Sequence, residues 1–111
     1  MIQRLALVAI VAPFLLSPAM GQQDERQLIG LGKSLLGEKC GKCHQVNPAG
    51  NSPLAEAPAF REVMRRYKPE DLEEALGEGL STGHPEMPEF VFEPDEIAAI
   101  LAYLETLRPG R

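Results

Sequence analysis

The sequence has no tryptophan and few other aromatic residues. A chain of 111 residues has room for one domain with a small apolar core. Without large aromatic fillers, that core would gain much from a large planar prosthetic group. Lysine is also scarce, limited to Lys33, Lys39, Lys42 and Lys68, and no basic run exists. This excludes nucleic acid as a partner, because such binding needs a basic patch to neutralise phosphates. The net charge is −5 at pH 7. No alternating strand pattern, internal repeat or low-complexity tract is present. Cysteine is limited to Cys40 and Cys43, three positions apart. A disulfide there would close too short a loop to staple a fold, so the pair reads as chemistry rather than scaffolding.

Long apolar runs are missing as well. The apolar stretch Leu5–Leu16 is shorter than the roughly 20 residues that cross a bilayer, and Pro13 interrupts it. It reads instead as the core of a secretory leader. Arg4 supplies the positive start, and Ala19 and Gly21 supply small residues for a peptidase cut after Gly21. The expected organisation is a signal peptide over residues 1–21 and one domain over 22–111, exported to the periplasm with no membrane span after cleavage.

What is present is helical periodicity, and the expected fold class is all-α. A first helix is expected from Asp24 to Lys39, with Gln27 completing a capping box and Leu28, Leu31, Leu35 and Leu36 on one face. Gly32 interrupts that face and suggests a second helix packing closely. A loop rich in Pro, Gly, Asn and Ser runs from Gln45 to Pro58. Phe60, Val63, Met64 and Tyr67 then fall at helical spacing. A third helix starts at Pro69, with Leu72, Ala75, Leu76 and Leu80 facing inward and Gly77 and Gly79 fraying its end. The segment Ser81–Phe92 reads as loop. A last helix starts at Pro94, with Ile97, Ile100, Leu101 and Leu104 on its inner face, and Arg108-Pro109-Gly110 stops it.

The chemistry concentrates in Cys40-Gly41-Lys42-Cys43-His44, a C-x-x-C-H motif. That pattern reads as c-type haem attachment. Two thiols at this spacing on a helical turn reach the two vinyl groups of one porphyrin, and the adjoining His44 lies under the iron. Gly41 and Lys42 need only clear the macrocycle. A structural zinc site would want four ligands, which only a Cys2His2 set with His84 could supply. A thioredoxin-like pair would need a βαβ context, which is absent.

A methionine opposite histidine is the electron-transfer arrangement at such an iron. Met64 sits on the apolar face of a helix and reads as core filler. Met87 sits in a polar loop before Pro88, which biases it toward extended backbone, and it is assigned as the sixth ligand. His84 is its rival, otherwise an exposed loop imidazole.

On these residues the sequence resembles the small class I c-type cytochromes of bacterial electron-transport chains. Three stretches carry the likeness: Gly32-Lys33-Ser34-Leu35-Leu36 with Cys40–His44, then His84–Phe90, then Asp95–Leu107 with Ala102-Tyr103-Leu104. The resemblance implies that the first and last helices cross at Gly32, with Leu36, Ile100 and Tyr103 at the contact. It also implies that Ala57-Pro58-Ala59-Phe60 lines the haem pocket, with the Pro58 carbonyl accepting from the His44 ring. Leu36 stands where an aromatic is common in the family, and the lysine-rich docking face of mitochondrial members is missing.

The expected function is a non-enzymatic, single-haem electron carrier. Cys40 and Cys43 hold the haem, His44 and Met87 the iron, and Pro58 orients His44. Lys39 and Lys42 flank the electron port near Cys43. The expected partners are a donor dehydrogenase or reductase and an acceptor oxidase or second cytochrome. Two alternatives are a haem relay subunit of a larger oxidoreductase, and a haem sensor or enzyme with an open distal site. Glu70, Asp71, Glu73, Glu74, Glu78, Glu86 and Glu89 form an acidic stretch that suits a basic partner, or simply a solvated face.

Overall fold

The structure, a computed structural model, describes residues 19–110, with side chains from residue 21 onward. The expected leader segment Arg4–Leu16 lies outside the described residues. Among the described residues there are four α-helices: α1 (Ala19–Cys40), α2 (Phe60–Arg66), α3 (Glu73–Glu78) and α4 (Pro94–Thr106). A 3-10 turn, Pro69–Leu72, precedes α3. No strand occurs among the described residues, so the chain is all-α, as its periodicity predicts.

Helix α1 starts earlier than the expected Asp24, so the Asp24 capping box does not form and the expected cut after Gly21 falls within the helix. Gln22 and Gln23 are adequate helix formers, no proline lies between Ala19 and Asp24, and Gly21 costs only about 1 kcal/mol against Ala. The expected inner face is also only half right. Leu36 is buried and Leu35 half-buried, but Leu28 and Leu31 are 38% and 50% exposed. The buried line instead runs through Ile29, Gly32 and Leu36, because α4 crosses at Gly32.

That crossing organises the molecule. Helices α1 and α4 make the most extensive helix–helix contact. A Cβ built on Gly32 would run into the backbone carbonyl of Ala99, with the Ile100 nitrogen close behind. Only glycine lets the two backbones approach this closely. Around the crossing, Leu36, Ile97, Ile100, Tyr103, Leu104 and Leu107 form one buried cluster with Val46, Met64 and Phe92. The three largest fully buried side chains are Leu36, Ile100 and Leu104.

Helix α2 stops at Arg66, since Tyr67 and Lys68 are extended ahead of Pro69. Tyr67 therefore leaves the apolar face and stands 52% exposed, while Met64 stays buried. The single third helix expected from Pro69 is instead the 3-10 turn followed by the short α3. At its end, Gly79 has φ +102°. Asp71 caps the 3-10 turn, its carboxylate accepting the Lys68 N–H at 2.8 Å. Glu96 does the same for α4, accepting the Glu93 N–H at 3.0 Å.

Candidate functional site

Cys40 is the last residue of α1, and the chain continues for one more turn. The N–H groups of Cys43 and His44 both donate to the Cys40 carbonyl, at 3.2 and 2.9 Å. This turn carries both thiols and the imidazole off one helix end. Neither cysteine is in a disulfide, and both are partly buried. Burial, and then the charge of neighbouring Cys43, push the Cys40 thiol up to about 11, so it is a neutral thiol at neutral pH.

The His44 ring is fixed from below. Its Nδ1 lies 2.7 Å from the Pro58 carbonyl oxygen. A carbonyl can only accept, so Nδ1 carries the proton and Nε2 is left with its lone pair. A histidine held this way presents a defined nitrogen to a metal, and its partner raises that nitrogen's basicity. The ring also packs on Phe60, with centroids 5.2 Å apart.

The loop that brings Pro58 under His44 is tied by Gln45, which sequence reasoning passed over. Its backbone N–H donates to Ser52 Oγ at 3.0 Å and its side-chain amide donates to the Asn51 carbonyl at 3.1 Å. Its Oε1 accepts the Asn47 N–H, and its backbone carbonyl accepts the Phe60 N–H, both at 3.0 Å. A polar residue directly after the histidine, facing a loop rich in Asn, Ser and Gly, was the available signal. The loop's long reach is secured from the far end of the chain, where buried Tyr103 donates to the Val46 carbonyl at 2.7 Å.

Met87 is half-buried and lies at the end of a β-turn, its N–H donating to the His84 carbonyl at 3.1 Å. Pro85 occupies the second position of that turn, where its fixed φ is favourable. Its sulfur accepts from Thr82 Oγ1 at 3.5 Å. His84 itself is exposed. One cleft borders Met87, lined by Leu80, Thr82, His84 and Glu89 among others. A second opens beside His44, against Gly41, Gln45 and Pro53. Met64 is in the core cluster.

These residues fit haem c. Two free thiols and an imidazole with a free nitrogen share one turn. Phe60, Val63, Leu72, Leu76, Phe90 and Leu101 pack on the core yet stay only partly covered, as does Cys40. Such incompletely covered apolar surface suits a flat apolar macrocycle. By contrast, no three or more His, Cys, Asp or Glu side chains gather into a metal-binding group among the described residues. The Cys2His2 arrangement is therefore not assembled.

Comparison with known proteins agrees with this chemistry. Residues 29–108 match the family model for cytochrome c. The chain belongs to the cytochrome c family. It is 36% identical, over 80 residues, to "Cytochrome c-552" of Bradyrhizobium diazoefficiens, a match covering 72% of this chain and 75% of that protein. No solved structure matches. Membership makes the chain an electron-transfer protein whose cofactor is haem c and whose partners are redox proteins. The chain also has the small, all-α, class I character that its helices and motif imply, and no described helix is long and apolar enough to cross a membrane.

Proposed function

We propose that this protein is a soluble periplasmic carrier of single electrons with one haem c per chain, working in a respiratory or dehydrogenase-linked pathway. Cys40 and Cys43 would hold the macrocycle, His44 and Met87 would hold the iron, and Pro58 orients His44. The leader-like pattern Arg4, Leu5–Leu16 and Ala19–Gly21 supports export. The observation that carries the reading is the 2.7 Å contact from His44 Nδ1 to the Pro58 carbonyl, which leaves Nε2 free on the same turn as two unpaired thiols.

When bound, the haem supplies one-electron chemistry at iron, with a methionine ligand favouring the reduced state. The chain's own residues do the rest. The His44–Pro58 bond holds one tautomer and one ring orientation. The turn that ends at Met87 presents a soft thioether sulfur. Apolar side chains such as Phe60 and Val63 keep water away, which preserves the low-dielectric setting that tunes a potential. With His44 and Met87 both holding the iron, no open position would remain there for a substrate.

Two measurements test the reading. Denatured protein extracted with acid–acetone should keep its colour, because thioethers survive the solvent; colour passing into the acetone would defeat covalent attachment. Met87→Ala should abolish the weak ferric charge-transfer band that reports sulfur ligation, lower the potential and admit carbon monoxide. If His84→Ala alters the iron spectrum and Met87→Ala does not, the site is bis-histidine instead.

A further inference from the structure

Taking Met87 as the iron's sixth ligand, we infer that Thr82 is a positioning residue whose hydroxyl holds the Met87 sulfur and sets its donor strength. Thr82 Oγ1 donates to Met87 Sδ at 3.5 Å, within reach for a large, soft acceptor. The same oxygen accepts the His84 N–H at 3.4 Å. That second bond occupies a lone pair and leaves the hydroxyl proton to point at sulfur. Gly83, between the two partners, has φ +74°, a conformation open to glycine that folds the chain back so that Thr82 can face Met87. The His84 carbonyl then accepts the Met87 N–H at 3.1 Å. Thr82, Gly83, His84 and Met87 thus form one closed polar turn with the sulfur at its rim.

Two consequences follow for the sulfur. A thioether has two lone pairs. Engaging one with the hydroxyl leaves one for a metal, which selects a single configuration at sulfur. The hydrogen bond also draws electron density from sulfur. Ferric iron depends on that donation more than ferrous iron does, so the bond favours the reduced state.

Thr82→Val and Thr82→Ser in the haem-loaded protein separate the hydroxyl from the shape of the side chain. Thr82→Val should keep the ferric sulfur band but shift the ferrous–ferric equilibrium toward ferric by roughly 2- to 5-fold, the worth of a weak net hydrogen bond. Its ferric NMR spectrum should show broadened or doubled haem methyl lines, as sulfur samples both configurations. Thr82→Ser should restore the native potential and a single set of lines. An unchanged potential in Thr82→Val, or a shift that Thr82→Ser does not reverse, overturns the role of Thr82 while leaving Met87 in place. If Met87→Ala keeps the sulfur band, the ligand assignment fails first and Thr82 has no ligand to position.

Discussion

The hydroxyl of Tyr103, near the end of α4, donates a 2.7 Å hydrogen bond to the carbonyl of Val46, two residues after His44. This buried bond joins the last helix to the loop that carries the histidine's partner. Tyr103→Phe leaves the Val46 carbonyl without its donor in a dry setting, and should cost about 1–3 kcal/mol in denaturant unfolding.

The same bond gives a pH dependence. Burial raises the Tyr103 pKa above its ordinary value of 10.0, because the ionised form is poorly solvated and can no longer donate. The folded value exceeds the unfolded one, so the stabilisation is fully present below pH 10 and is lost as pH climbs through the higher folded value. The stability gap between the native protein and Tyr103→Phe should therefore be widest near neutrality and narrow above pH 10. A gap independent of pH would contradict the assignment.

Gly32→Ala places a methyl group against the Ala99 carbonyl. Backbone cannot rotate away as a side chain can, so α1 and α4 must move apart. The expected loss is about 1–3 kcal/mol or more, as for other overpacked cores. Thermal unfolding of Gly30→Ala provides the control, since a Cβ there meets nothing. Equal effects at both positions would argue against a close crossing.

Met64→Leu should cost less than about 1.5 kcal/mol, since the swap nearly conserves volume, and should leave the iron spectrum unaltered. Met64 is 3% exposed among Leu36, Ile100 and their neighbours. A changed ferric spectrum in this variant would move the sulfur ligand from Met87 to Met64.

From Glu70 to Glu96 the sequence carries ten carboxylates and no lysine or arginine. Among the described residues none of these carboxylates forms an ion pair. If a basic redox partner docks here, the bimolecular electron-transfer rate with that native partner should fall steeply with ionic strength, because salt screens exposed charges beyond about 10 Å at 0.1 M. A rate flat in salt would mean the stretch is only solvated surface.

Helix α4 was legible almost to the residue, since Pro94 marks its start and its inner side chains repeat at helical spacing. The motif Cys40–His44 was legible because adjacency along the chain is adjacency in space within one turn. Other features depended on partners far away in sequence. Leu28 and Leu31 look as apolar as Leu36, and only the place where α4 crosses decides that they face outward. Gly32 signalled a close approach but could not name Ala99. Gly77 and Gly79 pointed to a frayed third helix, yet the split into a 3-10 turn and a short α3 depends on the local hydrogen bonds of Lys68 and Asp71. Gln45 and Thr82 were silent because their roles arise from folded loops, where several weak polar contacts converge on one side chain.

The contact between Gly32 and Ala99 also imposes a timetable. A ribosome releases the chain from its N-terminus, so Cys40 and Cys43 emerge while α4 is still unmade. Until then α1 has no backbone to lie against, and helices in proteins draw most of their stability from such tertiary packing. Both thiols pass through an interval of fuller access than the folded turn, where they are partly buried, gives them. The arrival of α4 ends that interval, so the helix made last closes the window in which the thiols made earlier are most open.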